Sequence, residues 1–332
     1  MGHKVSHFIL GVAAAAPLGW WTSDALGQTY SVVSIQVTGS AGTLVSASPS
    51  STVTLSPGGT FSPAIYGHGS NSVTYKVTIR CVNGAGVANR CAVSKSFAVI
   101  MQDTGGSVGS RLGTLQNFTL GSNTQTIVSG PTGANPTTFV LTGMPTNSAT
   151  ATFQVGFSVP LLSSGSTGTT VTRSFSVVTG STPLVLQSTM SSTLSAIVWN
   201  PIAVSVGANM DFGKIVRPSS GSGTVTLSST GVTTSAGAVL GNVHSLASFN
   251  VTGEGGQAFS VTVPGSFNMI SAGHTLTVTT TPSFGGSNTQ SFSNALGAQG
   301  SYGFTVGGKF PISPTTSNGA YIGNLVVSVQ YN

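Results

Sequence analysis

Residues able to perform acid–base or metal chemistry are sparse in this chain of 332 residues. A glycosidase needs two carboxyl groups that face one bond, and a structural metal site needs several clustered ligands. Neither pattern is present, because the candidate residues lie far apart in sequence. Beyond residue 27 the acids and histidines are Asp103, Asp211, Glu254, His68, His244 and His274. The sequence therefore predicts a protein that is not an enzyme and that holds no metal or cofactor.

Two short motifs could suggest catalysis, but both lack their context. Asp211-Phe212-Gly213 spells a kinase tripeptide, yet the glycine-rich loop, strand lysine and catalytic loop of kinases are missing. Serines are abundant, but no G-x-S-x-G elbow precedes a helix. Asp211 and Glu254 are better interpreted as acids that accept turn hydrogen bonds or as rare buried acids.

The charge pattern argues against nucleic acid as a partner. Charged residues make up 4% of the chain, and the formal net charge is +6. The nearest approach to a basic cluster is Lys76, Arg80, Arg90 and Lys95, which strand alternation places on solvated faces. Hydrophobic residues reach 39%, which is enough to build a core and unlike a disordered chain.

The first residues have the pattern of an export signal. A polar, basic lead precedes an apolar run, residues 8–21, that is too short to anchor stably in a bilayer. Small residues at Ala25 and Gly27 predict cleavage after Gly27, so residues 1–27 are interpreted as a signal peptide, and an uncleaved anchor is the alternative. Export would take the chain out of the cytoplasm into an oxidising compartment.

An exported chain can form disulfides, and this one has two cysteines, Cys81 and Cys91. Both end runs of strand character, and Asn83-Gly84 between them is a turn dipeptide. An oxidising compartment and a hairpin-sized loop favour one disulfide between them.

The elements that carry these residues are predicted to be strands throughout. Apolar residues alternate with polar ones at Val73–Cys81, Ala149–Val159 and Val171–Val177, and turn-rich stretches such as residues 163–170 separate them. No window has the spacing of an amphipathic helix. Short strands joined by turns predict an all-β protein of two β-sandwich domains. Residues 182–193 interrupt the alternation, which predicts an N-terminal domain over about 28–190 and a C-terminal domain over 191–332.

The last fourteen residues, 319–332, show the clearest alternation in the chain. Alternate positions carry Tyr321, Gly323, Leu325, Val327, Val329 and Tyr331. Period-two alternation predicts a strand with one buried face. A terminal strand closes a sheet or lies at its edge, where unpaired amides can take up a further strand.

Four segments of the C-terminal half resemble a β-rich family of unknown function from exported proteins of Gram-negative bacteria, whose members look similar to subunits of chaperone–usher pili. The segments are WNPIAVSVGANMDFGKIV (Trp199–Val216), FNVTGEGGQAFSVTVP (Phe249–Pro264), GSYGFTVGGKFPI (Gly300–Ile312) and NGAYIGNLVVSVQYN (Asn318–Asn332). They occur in that order and cover roughly residues 194–332.

The end of the chain is similar to pilus subunits of this class in a second way. Such subunits typically carry a glycine fourteen residues from the C-terminus and a penultimate aromatic residue, and Gly319 and Tyr331 stand at those places. The resemblance implies an immunoglobulin-like sandwich that lacks one strand and receives it from a partner. It implies that Leu325, Val327, Val329 and Tyr331 line the resulting groove, and that Gly319 permits close backbone approach.

The partners implied by this resemblance are a periplasmic chaperone, an outer-membrane usher and neighbouring pilus subunits. A β-domain placed before the pilin-like one resembles a tip adhesin, whose first domain binds a receptor such as a host or surface glycan. No ligand residue can be singled out among the polar loops. Residues Tyr30–Val37 could instead be a donor strand, which would indicate a shaft subunit; otherwise they form the first strand of the first domain. A free-standing surface protein is the third alternative.

Overall fold

The computed structural model describes residues 28–45, 51–62, 72–83, 91–182 and 184–332. The predicted signal peptide and its cleavage point, His68, Arg90 and the loop between the two cysteines lie outside these ranges. Every regular element in the described residues is a β-strand, so the all-β prediction is confirmed. Among these residues no helix is long and apolar enough to span a membrane.

The first half of the chain, residues 28–199, forms two facing sheets. Its strands are β1 (Gln28–Ser40), β2 (Thr43–Val45), β3 (Ser51–Leu55), β4 (Phe61–Ser62), β5 (Ser72–Asn83), β6 (Ser96–Gly106), β7 (Gln116–Gly121), β8 (Ile127–Thr132), β9 (Thr137–Thr142), β10 (Thr150–Leu161), β11 (Thr170–Ser181) and β12 (Val185–Trp199). One sheet has the order β1-β5-β10-β3-β4, with β7 also paired to β10, and the other has the order β2-β12-β11-β6-β9-β8.

Aromatic rings from both sheets meet between them and form the centre of the first core. Tyr75 of β5 contacts Phe175 of β11 with ring centroids 5.2 Å apart, and Tyr30 of β1 stacks on Phe97 of β6 at 4.6 Å. The alternation seen in the sequence accounts for this arrangement, because successive strand residues point to opposite faces. On β5 every second residue from Val73 to Cys81 is buried.

The predicted disulfide between Cys81 and Cys91 is present, with Cα atoms 6.0 Å apart. Both cysteines are buried in the first core. The side-chain oxygen of Asn83 accepts a hydrogen bond from the Cys91 amide at 2.8 Å, so the end of β5 is bonded to the backbone next to the bridge.

The structure places the end of the first core later than the predicted boundary near residue 191. That boundary falls inside β12, which pairs with β11 from Val185 to Ile197. Leu194, Ala196 and Val198 of β12 pack in the first core. The polar stretch 182–193 lies largely within β12, whose half-exposed residues keep their backbone pairing without apolar alternation.

The second half, residues 200–332, contains a larger sheet and two smaller ones. Its strands are β13 (Ala203–Ala208), β14 (Lys214–Val216), β15 (Gly223–Ser228), β16 (Gly231–Thr234), β17 (Ala238–Leu240), β18 (Ala247–Glu254), β19 (Ala258–Thr262), β20 (Ser266–Ser271), β21 (His274–Pro282), β22 (Thr289–Ser291), β23 (Gln299–Ile312) and β24 (Ser328–Tyr331).

The large sheet has the order β13-β18-β23-β15-β16, and the β20–β21 hairpin joins it through β23. Strands β14 and β17 pair with each other, and the third sheet has the order β22-β19-β24. This three-stranded sheet packs on the large one, with Phe259 of β19 at 5.7 Å from Tyr302 of β23. Two apolar cores of the second half draw on residues 202–331, whereas the first core draws on residues 30–198.

Candidate functional site

The terminal segment, residues 319–332, lies on the core of the second half with one face inward. Leu325, Val327, Val329 and Tyr331 are half-buried and pack against the cluster that contains Phe259. The alternate residues Ile322 and Val326 are largely exposed. The four side chains singled out by the sequence analysis therefore lie on one face of the segment, and that face packs on the core.

The backbone of this segment changes partner along its length. Ile322 forms an isolated antiparallel bridge with Ile270 of β20, with N–O distances of 2.8 and 3.1 Å. Strand β24 instead pairs with β19, setting Val329 opposite Val261. Residues 323–327 lie in no strand. The sequence predicted one continuous strand, but β20 and β19 belong to different sheets, so the backbone between the two contacts has no ladder partner.

Two glycines in the segment stand where a side chain would collide. A Cβ at Gly319 would lie 2.2 Å from Oγ of Ser271. A Cβ at Gly323 would lie 2.3 Å from the backbone oxygen of Asn268, which cannot rotate away. At Gly323 the segment thus lies directly against the backbone of β20, at a position that the sequence comparison with pilus subunits did not single out.

The core of the second half is open along β13. In the ladder with β18, Val204 stands opposite Val251 and Val206 opposite Phe249, so each pair shares one face of the sheet. Val251 and Phe249 are buried, at 0% and 8% exposure, yet Val204 and Val206 are 39% and 62% exposed. Apolar side chains on the core face of β13 therefore lack a covering layer.

Two sheet edges border this open face. Strand β13 is the end strand of the large sheet, and β24 is the end strand of the three-stranded sheet. Edge strands present unpaired N–H and C=O groups, and a strand added there gains backbone hydrogen bonds while alternate side chains fill pockets. We call the region between β13 and residues 322–331 the open groove.

The two ends of the open groove differ. At one end the hydroxyl of Tyr331 donates to the backbone oxygen of Asn200 at 2.6 Å, and its ring lies 5.2 Å from that of Trp199. At the other end is a cavity of about 460 Å³, lined by residues after β13, such as Met210 and Phe212, and by the start of the terminal segment. The groove is thus closed by Tyr331 and ends, at its far side, in a cavity whose lining mixes apolar side chains with polar ones, Asp211 and Arg217 among them.

The hydroxyl of Tyr331 stays protonated over the ordinary pH range. Burial raises the pKa of Tyr331 to about 12, the hydrogen bond from the Glu254 amide acts in the opposite direction, and the nearby Glu254 charge gives a smaller rise. A protonated hydroxyl can donate to Asn200 and accept from the Glu254 N–H, which lies 2.7 Å away. The chemistry at this end is hydrogen bonding.

The three acids of the described residues are occupied separately and are not brought together. Asp103 pairs with Arg173 in the first half, and Glu254 is fully buried in the second. Asp211 accepts a hydrogen bond from the Gly213 amide at 2.7 Å, the turn contact expected from the sequence. No group of three His, Cys, Asp or Glu within the described ranges could hold a metal ion.

Sequence reasoning missed two features of this site. The open face of β13 was overlooked, although the alternation of Ile202, Val204 and Val206 was a signal for it. The long-range bonds of Glu254 were also missed, since a glutamate between glycines suggests a turn.

Residues 202–331 match the family described as Domain of unknown function (DUF4402). This match confirms the resemblance of the C-terminal half to a β-rich family of unknown function. The chain matches no curated protein. Among solved structures it is similar to the CsuC–CsuE chaperone–tip adhesion subunit pre-assembly complex of archaic chaperone-usher Csu pili from Acinetobacter baumannii. That similarity has 12% identity and a TM-score of 0.24, and it covers 89% of this chain and 99% of the other. A superposition this loose does not establish a shared fold.

Proposed function

We propose that the chain is a non-enzymatic subunit of a pilus-like surface fibre, and that its second half takes up a β-strand from a partner protein. The observation that carries this proposal is the exposure of Val204 and Val206 on the core face of β13, beside buried neighbours in the same ladder. An added strand would cover these side chains and pair with an open edge. A periplasmic chaperone would supply the strand first, and a neighbouring subunit after assembly through an outer-membrane usher.

The chemistry of the open groove fits a strand recognised by backbone and apolar contacts. Neither β13 nor residues 322–331 contain a charged side chain, despite the net charge of +6. A partner strand with alternating apolar residues suits this surface, and its last side chain would enter the cavity of about 460 Å³. Gly319, Leu325, Val327, Val329 and Tyr331 form the assembly strand in this proposal.

We further propose that the subunit stands at the fibre tip, with its first half as the receptor-binding part. A shaft subunit would need a free donor strand at its N-terminus. Residues Tyr30–Val37 instead belong to β1, which pairs with β5 from Gln28 to Ser40. Tyr30 is fully buried in the first core, and Thr179 donates to its backbone oxygen at 2.6 Å. This placement favours a tip position reached by export through the periplasm.

The test of strand uptake replaces a valine on the open face by lysine. The full chain is expressed with the periplasmic chaperone encoded nearest to its gene, and the retained chaperone is measured after purification. Val206→Lys should reduce retention roughly tenfold or more, because strand addition would bury an unpaired ammonium group. Val128→Lys is the matched control, since Val128 is 58% exposed on β8 in the first half.

Two outcomes would contradict the proposal. Residues 28–332 that fold as a stable monomer without any partner would show that no strand is missing. Equal loss of chaperone in both lysine variants would show that the open face of β13 is not the contact.

The tip position is tested by immunogold labelling of the fibres. Labelling along whole fibres, rather than at their ends, would rule out a tip position.

A further inference from the structure

Glu254 is the fully buried acid of the second half, and the strand-uptake proposal assigns it no part. It ends β18 and is 0% exposed. The glycines beside it leave space for the surrounding groups. A Cβ at Gly253 would lie 2.8 Å from the hydroxyl of Tyr331, and one at Gly255 would lie 2.3 Å from the backbone oxygen of Ala295. A buried carboxylate is tolerated where donors surround it.

Four donors from three separate parts of the chain converge on this carboxylate. Oε1 accepts from the Gly297 amide at 2.6 Å and from Oγ1 of Thr167 at 3.2 Å. Oε2 accepts from the backbone amide and the side-chain Nδ2 of Asn200, at 2.9 and 2.7 Å. Thr167 lies just before β11 in the first half, Asn200 connects the halves, and Gly297 lies between β22 and β23.

The loops on either side of this carboxylate also touch each other. A Cβ at Gly168 would lie 2.5 Å from the Gly297 amide nitrogen, so the two backbones are in close contact. The Nδ2 of Asn200 is also within hydrogen-bond distance of Oγ1 of Thr167, at 3.3 Å. The carboxylate of Glu254 therefore holds the first half against the second.

The terminal strand is part of the same network. The Glu254 amide donates to the hydroxyl of Tyr331 at 2.7 Å, and that hydroxyl donates to the backbone oxygen of Asn200 at 2.6 Å. Two residues, Glu254 and Asn200, thus contact both the first half and the last strand. We call Thr167, Asn200, Glu254, Gly297 and Tyr331 the junction cluster.

We propose that the junction cluster couples the terminal strand to the contact between the two halves, with Glu254 and Tyr331 as positioning residues. When β24 is seated, Tyr331 fixes the Asn200 backbone and the Glu254 amide, which orients the carboxylate towards Thr167 and Gly297. Displacement of β24 removes both contacts and loosens the contact between the two halves. This coupling does not require the proposed function, because every contact lies within the chain.

Hydrogen exchange of the full chain, with its partner bound if it purifies with one, tests the coupling. Tyr331→Phe removes one hydroxyl. We expect the amide of Gly297 to exchange about two- to tenfold faster, although Gly297 bonds to the Glu254 carboxylate and not to Tyr331. In Glu254→Gln the side-chain NH₂ group would replace one carboxylate oxygen. Since each oxygen accepts from two donors, the NH₂ group would face two donors in either orientation of the side chain. We expect faster exchange at Asn200 and Gly297 in that variant as well.

Two matched controls separate coupling from local damage. Tyr321→Phe removes a hydroxyl from the same terminal segment, but its contact with Ser317 is local. Asp211→Asn neutralises an acid of the same half that serves one turn. Neither should change exchange at Gly297. If Tyr331→Phe alters only the Glu254 amide, or if Glu254→Gln leaves Gly297 and Asn200 unchanged, the coupling is rejected, whatever the outcome of the chaperone test.

Discussion

Asp103 shows how a single acid can stabilise a chain that has very few charges. Its carboxylate accepts from Nε and Nη2 of Arg173 at 2.6 and 2.7 Å, and from the amides of Leu115 and Gly105 at 2.9 and 2.8 Å. Burial alone raises the pKa of Asp103, but these hydrogen bonds and the Arg173 charge outweigh burial and lower it below its usual value. The folded protein therefore stabilises the ionised form of Asp103.

We expect this pair to give the first half an acid-sensitive stability. Since the folded pKa of Asp103 lies below the unfolded value of about 3.9, the contribution is complete above that pH and is lost as pH falls through the folded pKa. Asp103→Asn should cost about 3 kcal/mol at pH 7, because it removes the negative charge with which Arg173 pairs. The variant should also lose less stability than the wild type between pH 5 and about pH 2.

The pH-dependent loss of stability is measured by urea unfolding of the wild type and of Asp103→Asn at the two ends of this pH range. Hydrogen exchange of β6 and β11 reports the unfolding of the first half. Asp211→Asn is the control and should change little, because Asp211 serves one exposed turn. Parallel pH profiles for wild type and Asp103→Asn would exclude the assigned role.

The sequence could predict residues whose role depends on near neighbours. Cys81 and Cys91 were paired correctly because only ten positions separate them in the sequence. Glu254 was not predictable, since its partners Thr167 and Gly297 lie 87 and 43 residues away. Only the folded backbone brings such donors to one carboxylate.

At the level of elements, alternation predicted faces well and strand ends poorly. On β10 every second residue from Ala151 to Val159 is buried, as expected. Strand β12 continues through a polar stretch because β11 pairs with it along its length. The terminal segment keeps its alternation but changes sheets at residues 323–327. Periodicity reports which side a residue faces, whereas pairing partners decide where a strand begins and ends.

Strand β1 gives a sharp test of whether residues Tyr30–Val37 are an integral strand. Val32 is 6% exposed and Val33 is 46% exposed, so adjacent valines differ in burial. Val32→Ala should destabilise the first half by about 2 kcal/mol through lost core packing, while Val33→Ala should cost well under 1 kcal/mol. Exchange of β5 amides, which pair with β1, measures the effect. A donor strand destined for another subunit would show no difference between the two variants.

For the whole molecule, the separate cores determine which half is destabilised when one half is altered. Residues 30–198 build the first core, and residues 202–331 build the others. Deletion of Leu325–Asn332 removes the inner face of the terminal segment and exposes Phe259 and Val261 beneath it. We expect surface display to be abolished, because the open groove loses one border, while the first half keeps its protected β5 and β10 amides.

The control for this deletion changes only the outward face of the same segment. Val326→Ser replaces an exposed side chain and leaves Leu325, Val327, Val329 and Tyr331 in place. Display measured with antibodies on intact cells should be normal for Val326→Ser and absent for the deletion. The deletion should also speed exchange at Gly297, because Tyr331 is removed from the junction cluster. Undiminished display after the deletion would remove the basis for assembly through the terminal strand, and unchanged exchange at Gly297 would separately count against the coupling.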